Sequence, residues 1–290
     1  MLVGLKEILD IAQKSGTAIG AFNATTSAAL MAEIEAAEEL QMPVIVMHCE
    51  GHDGLIPLEY VGAMMRAAAE KASVPVCVHL DHGETVDYVK RAIDVGFTGV
   101  MFDGSTKPFD ENMDCTRQVV EAAKKTGASV EAELGCLGKR ELGYGEAVND
   151  GHGDKKIYTD PAEAERFVNE TGIDALACSF GTAHGMYITK PKLDFTVLDR
   201  IKERVSIPLV MHGGSGISPD NFREAIRHGI RKINYFTYLD IAGGEAVADE
   251  IKVNLAREEV RPVYYHEVAM WAKEGMKKNA VEALKIFSMR

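Results

Sequence analysis

Three histidines close short apolar runs: Val-Cys-Val-His-Leu-Asp81-His82-Gly-Glu, Leu-Ala-Cys-Ser-Phe-Gly-Thr-Ala-His184-Gly and Pro-Leu-Val-Met-His212-Gly-Gly-Ser-Gly. Neutral imidazole is the commonest metal ligand among side chains, and three of them leave one coordination position open for a reacting molecule. A structural site would instead be closed by four ligands, usually rich in cysteine. Any one of these histidines, met alone, reads as an ordinary polar residue at a strand end. Three in the same setting, with the carboxylate of Asp81 beside them, point to a metal-dependent enzyme.

Glycine-rich turns follow two of the three, at Gly185 and at Gly213-Gly214-Ser215-Gly216. Glycine lets the backbone aim its N–H groups at an anion with no Cβ in the way. The second turn runs into Ile-Ser-Pro-Asp and a helical pattern, so it lies beside a helix N-terminus and suits a phosphate group. Metal and phosphate positions on neighbouring strand ends describe an enzyme of phosphorylated small molecules.

Such a constellation needs strands that end together. β-rich runs are expected near Ala18–Asn23, Pro43–His48, Pro75–Leu80, Gly99–Asp103, Ser129–Leu134, Ala175–Phe180, Pro208–His212 and Lys232–Phe236. Amphipathic helical patterns lie between them, at Ser27–Gln41, Ile56–Ala72, Thr85–Val95, Asp114–Thr126, Asp160–Thr171, Phe195–Val205 and Asp220–His228. Eight nearly continuous apolar strands alternating with helices, in 290 residues, predict an α/β fold, a single (β/α)8 TIM barrel over residues 1–290. A doubly wound sheet would carry a glycine-rich dinucleotide turn after its first strand, and none is present. The long glycine-rich polar stretch 135–159 predicts a mobile active-site loop, and 241–290 a C-terminal helical extension.

The bulk properties narrow the partners. A net charge of −12 argues against nucleic acid, whose backbone calls for basic patches. No run approaches the 18 or so apolar residues of a membrane span, and the N-terminus lacks the pattern of a secretory signal. The five cysteines form no Cys-x-x-Cys pair, which fits reduced thiols and a cytoplasmic location.

The stretches Leu80-Asp81-His82-Gly83, Gly-Ala-Ser-Val-Glu131-Ala-Glu133-Leu-Gly, Tyr-Thr-Asp160-Pro, Gly-Thr-Ala-His184-Gly, His212-Gly-Gly-Ser215-Gly-Ile and Lys-Ile-Asn234 resemble the class II, zinc-dependent ketose-bisphosphate aldolases. That family includes fructose-bisphosphate and tagatose-bisphosphate aldolases, and the resemblance runs in order along nearly the whole chain. It implies reversible retro-aldol cleavage of a ketose 1,6-bisphosphate, or a ketose 1-phosphate, to dihydroxyacetone phosphate and an aldehyde through a zinc-stabilised enediolate. It implies that His82, His184 and His212 bind Zn2+, with Asp103 and Glu133 around an alternate metal position. Asp81 would be the acid/base at the C4 hydroxyl and Glu141 the lid residue handling the C3 proton. Gly185, Gly213, Ser215, Asn234 and Thr237 would hold the dihydroxyacetone-phosphate half, with Asn23 a further substrate contact. A monovalent cation (Na+ or K+) near the phosphate and a homodimer or homotetramer are further family traits. A metal-dependent hydrolase on the same fold is the weaker alternative, because it would need more carboxylate ligands or a second metal.

The chain departs from the family on the substrate side. Met186-Tyr187-Ile188 replaces a Tyr-Lys after His184-Gly185, leaving Lys190 and Lys192 as the nearby cations. Phe236 stands where a small or polar residue usually precedes Thr237, and Cys49 stands where a serine is common. A bulky Phe236 would reshape the aldehyde pocket, so an aldolase for a modified ketose 1-phosphate with a non-standard aldehyde half is the alternative substrate reading.

Overall fold

The computed structural model describes residues 1–135, 158–187 and 190–290. A two-residue strand β1 (Leu2–Val3) is followed by helix α1 (Leu5–Ser15). Eight parallel strands then form a closed barrel: β2 (Ile19–Asn23), β3 (Val44–Cys49), β4 (Val76–Gly83), β5 (Gly99–Phe102), β6 (Ser129–Leu134), β7 (Ala175–Cys178), β8 (Leu209–Met211) and β9 (Ile230–Asn234). Each pairs with the next in sequence, and β9 pairs with β2 to complete the ring. β1 lies beside the first two residues of β4 and extends the sheet at that end.

Helices α2 (Ser27–Leu40), α3 (Leu58–Lys71), α4 (Val86–Val95), α5 (Phe109–Ala123), α6 (Pro161–Thr171), α7 (Phe195–Lys202) and α8 (Pro219–Arg227) cover the outside. Their starts follow from capping: the side chains of Thr26, Thr85, Asp160, Asp194 and Ser218 each accept a first-turn N–H. α5 begins five residues before the expected Asp114. Pro108 presets the turn into it, and Asp110 and Glu111 sit favourably in its first turn. After β9 the chain forms α9 (Thr237–Leu255) and α10 (Tyr265–Phe287), and α10 packs against α2, α8 and α9.

Strand alternation sorts the barrel interior into layers. Ile19, Ala21, Ile45, Met47, Cys77, Met101, Ala175, Ala177 and Val210 point inward and are buried. α1 lays Leu5, Ile8, Leu9 and Ala12, all fully buried, against this group and closes the N-terminal end of the strands. The sequence pattern assigned no element there, although the i, i+3, i+4, i+7 spacing of those four residues is helical. No helix among the described residues is long and apolar enough to cross a membrane. The expected loop 135–159 lies almost wholly outside the described residues, as do Glu141, Cys136 and Ile188.

Candidate active site and metal centre

The C-terminal ends of the strands bring the sequence-marked side chains together. Asn23 ends β2, Cys49 ends β3, Asp81 and His82 lie among the last three residues of β4, and Asp103 follows β5. Glu131 and Glu133 lie on β6, His184 follows β7, His212 follows β8 and Asn234 ends β9. All but Cys49 and His184 are buried.

Consecutive strand residues point to opposite faces, so Asp81 and His82 should not both reach one site. The β4–β5 register shifts between Leu80 and Gly83, and His82 takes a left-handed φ of 41°. That conformation costs a β-unbranched residue about 1–3 kcal/mol, and it returns His82 to the side Asp81 already occupies. Gly83 makes room for the kink, since a Cβ there would lie 2.4 Å from Val89 Cγ2 and 2.8 Å from the Met101 carbonyl.

Three imidazole nitrogens meet at the mouth. His82 Nε2 lies 2.9 Å from His212 Nδ1 and 3.2 Å from His184 Nε2. Ligands about 2.0–2.1 Å from a tetrahedral ion are themselves roughly 3.3 Å apart, close to these separations. The outer nitrogens show why an ion would fit there. His82 Nδ1 lies 2.7 Å from Asp103 Oδ2, and His212 Nε2 lies 2.9 Å from Glu131 Oε1. Each carboxylate accepts the ring proton, so both inner nitrogens present lone pairs. Two lone pairs 2.9 Å apart repel unless a cation lies between them. Burial, with His82 adding, pushes His212 down to about 4, which outweighs Glu131 and keeps its ring neutral and able to ligate at neutral pH. The residues therefore fit the metal that the triad implies. His82, Asp103 and Glu133 form a second group that could hold an ion.

Asp81 is fixed through both oxygens. Asn23 Nδ2 donates to Oδ2 at 3.0 Å, and Asn234 Nδ2 donates to Oδ1 at 2.8 Å. Burial by itself would raise this carboxyl. The neighbouring His82 and His212 imidazoles, which take up a proton before this carboxylate does, the Lys232 ammonium and the Asn23 hydrogen bond outweigh it, holding Asp81 below the usual carboxylate range. The result is an anion beside the metal position with its orientation already set. The buried Asn234 Oδ1 finds no hydrogen-bond partner among the described residues, so this side chain keeps an acceptor for a ligand.

The glycine turns also converge. Gly213 has φ 67°, and a Cβ on it would lie 2.3 Å from the Ala183 carbonyl, so only glycine lets this turn pack on the His184 loop. Tyr187, in the segment that departs from the family, stitches the two loops together. Its hydroxyl donates to the Gly213 carbonyl at 2.9 Å and accepts from the Ala183 N–H at 2.8 Å. Ser215 Oγ accepts from the Tyr238 N–H at 3.3 Å, placing the turn against the first residues of α9, where Thr237 begins. Nothing in the sequence marked Tyr187 as this brace.

Phe236, the residue before Thr237, packs on His52, with ring centroids 5.1 Å apart. The His52 side chain makes no hydrogen bond to the described residues. His48 turns away from the mouth: its Nε2 lies 3.1 Å from the Tyr88 hydroxyl of α4, which donates to Asp53 at 2.8 Å. Neither histidine belongs to a metal-holding group among the described residues.

A sequence model described as fructose-bisphosphate aldolase class-II matches residues 3–290. The chain is 42% identical over 256 residues to a fructose-bisphosphate aldolase of Geobacillus stearothermophilus, covering 86% of this chain and 85% of that one. A Staphylococcus aureus fructose-bisphosphate aldolase is 41% identical over 251 residues with the same coverage. Among solved structures, the YdjI aldolase of Escherichia coli K12 superposes with a TM-score of 0.81 at 33% identity, over 99% of this chain and 97% of that one.

Proposed function

The chain belongs to the class-II fructose-bisphosphate aldolase family, and we propose that His82, His184 and His212 hold its Zn2+ while Asp81 exchanges the C4 hydroxyl proton of the substrate. The enzyme is a metal-dependent aldolase, a lyase that reversibly cleaves a carbon–carbon bond. Its substrate is a phosphorylated ketose, and dihydroxyacetone phosphate is one product. The facing lone pairs of His82 and His212 carry the metal assignment.

Bound zinc supplies Lewis acidity toward the negative charge that develops on the former carbonyl oxygen when the C3–C4 bond breaks. The chain's own groups do the rest. Asp81 takes the C4 hydroxyl proton in cleavage and returns it in condensation. Asn23 and Asn234 hold it in place beforehand, so no reorganisation is spent during the reaction. Gly185, Gly213, Ser215 and Thr237 receive the phosphate of the dihydroxyacetone half, with Asn234 toward its hydroxyl oxygens and a Na+ or K+ ion nearby. Glu141 delivers the C3 proton. Asp103 and Glu133, with His82, offer an alternate resting position for the metal.

A second substrate reading rests on the His52–Phe236 contact, which sets two rings together just beyond the ends of β3 and β9. This wall supports an aldehyde half other than glyceraldehyde 3-phosphate. The apolar side chains exposed at Val253, Leu255, Tyr265 and Met270 on α9 and α10 support assembly into a homodimer or homotetramer.

The test is cleavage of a panel of ketose 1-phosphates and 1,6-bisphosphates, with dihydroxyacetone phosphate release coupled to NADH oxidation. Turnover that chelation abolishes and zinc restores is expected. Zinc-loaded enzyme inert on the whole panel overturns the reaction, and an unchanged rate in Asp81→Ala overturns the role of Asp81 alone.

A further inference from the structure

Beneath the three histidines the barrel holds a charged layer that the reaction does not use. Glu131 of β6 and Lys232 of β9 both point inward and are fully buried. Lys232 Nζ lies 2.9 Å from Glu131 Oε2 and 3.2 Å from Oε1. Oε1 is also the atom that faces His212 Nε2 at 2.9 Å. A third buried side chain, His79, brings its Nε2 to 3.4 Å from Oε2.

Apolar side chains of similar volume usually replace a buried ion pair with no loss of stability, so packing alone does not account for this one. Its consequence lies one atom further on. A carboxylate flanked by an ammonium can only accept, so the His212 ring proton must sit on Nε2 and the lone pair on Nδ1. Without that constraint the other tautomer becomes available. Nδ1–H would then donate to His82 Nε2, 2.9 Å away, and this internal hydrogen bond would occupy the two nitrogens that face the metal position.

We propose that the Glu131–Lys232 pair is a positioning device that bars the His82–His212 hydrogen bond and thereby sets the affinity of the site for its metal. Glu131 fixes the tautomer, and Lys232 keeps Glu131 an acceptor. The inference rests on His82, His184 and His212 being the ligands.

The experiment compares wild type with the double variant Glu131→Leu/Lys232→Met, which removes both charges together and so strands neither in the barrel. Zinc dissociation constants are measured by chelator competition, and the tautomers of His82 and His212 in zinc-free protein by nitrogen-15 NMR of the rings. The double variant should stay folded by circular dichroism, bind zinc about 10–100-fold more weakly, and show the His212 proton moved to Nδ1. The conservative variant Glu131→Asp should recover part of that affinity. Wild-type zinc affinity together with an unmoved His212 proton overturns the proposal. His212→Ala separates the two levels of the argument. If it loses zinc while the double variant does not, the positioning role alone falls; if it binds zinc like wild type, the ligand assignment falls first.

Discussion

The two ends of the barrel use the same eight strands for opposite ends of the stability scale. At the N-terminal end, Leu5, Ile8 and Leu9 of α1 join Ile19, Ile45 and Cys77 in one cluster of buried apolar side chains. At the C-terminal end, Asn23, Asp81, His82, Asp103, Glu133, His212 and Asn234 are buried as well, yet every one of them is polar. Burying an apolar side chain stabilises by about 1.5–3 kcal/mol, whereas burying polar groups costs energy unless each is partnered. The mouth meets that condition only in part. Asp81 has two amide donors, but His82 and His212 set two lone pairs against each other. A closed parallel barrel lets one end hold the molecule together while the other carries strain, a left-handed His82 and, among the described residues, an Asn234 Oδ1 with no hydrogen-bond partner.

Exchanging substitutions between the two ends should separate activity from stability. Asp81→Ala should lower kcat/KM by about 10²–10⁴-fold while leaving zinc content unchanged and the unfolding midpoint within a few degrees of wild type. Cleavage kinetics, metal analysis and calorimetry on one preparation check this. A midpoint that collapses along with the rate would mean that the mouth is also holding the fold. At the other end, Leu9→Ala removes buried methyl groups and should cost about 2–5 kcal/mol of stability. Its turnover per folded molecule at 25 °C should match wild type, since it touches nothing at the mouth.

Acid should cost stability through imidazoles whose burial disfavours their charged form. His48, at the end of β3, is fully buried, and burial pushes it down to about 4; His52 adds to this, while Asp53 and Asp81 oppose it. Its folded value lies below its ordinary 6.5, so its contribution to stability is complete above pH 6.5. As pH falls from 6.5 to about 4 the unfolded chain takes up a proton that the folded chain refuses, and stability drops across that window by roughly 3 kcal/mol. His48→Gln should flatten the slope of stability against pH in this range. Denaturation curves at half-unit pH steps read it directly, and an unaltered slope would locate the acid sensitivity in other groups.

How much of this the sequence discloses follows from which contacts are local. Asp81, His82, His184 and His212 announce themselves by type and by ending apolar runs, and the eight alternating units declare the barrel. Glu131 and Glu133 share a parity, so both facing inward was within reach of a strand-alternation argument. The hold of Asn23 and Asn234 on Asp81 was not, because those residues come from different strands and meet only through the register of a closed ring. The left-handed turn at His82 leaves its only trace in Gly83, which many strand ends share. Tyr187 gives no signal at all, since a tyrosine bracing two loops reads like any half-buried aromatic. α1 is faint in the sequence for a different reason: it precedes the first long apolar run, and its four buried residues are spread among Lys6, Glu7, Asp10, Gln13 and Lys14.

Glu33 tests the rule behind the comparison, that buried polar groups stand or fall by their partners. It lies on the buried face of α2, outside the barrel, and is as inaccessible to water as Glu131. Glu131 has Lys232 and His212 on its oxygens, whereas neither Glu33 oxygen finds a hydrogen-bond partner among the described residues. Burial alone therefore raises Glu33 well above the usual carboxylate range. A raised folded value means that the native state keeps its proton longer than the unfolded chain does. Stability is then undiminished at low pH and declines as pH rises from the unfolded value through the folded one. Replacing the acid by an uncharged residue removes that decline. Glu33→Leu should gain about 1–3 kcal/mol near neutral pH, the cost of a buried polar group left without partners. The gain should shrink as the pH is lowered toward 4, with cleavage activity unchanged throughout. Loss of stability at every pH would mean that Glu33 has a partner on which α2 depends.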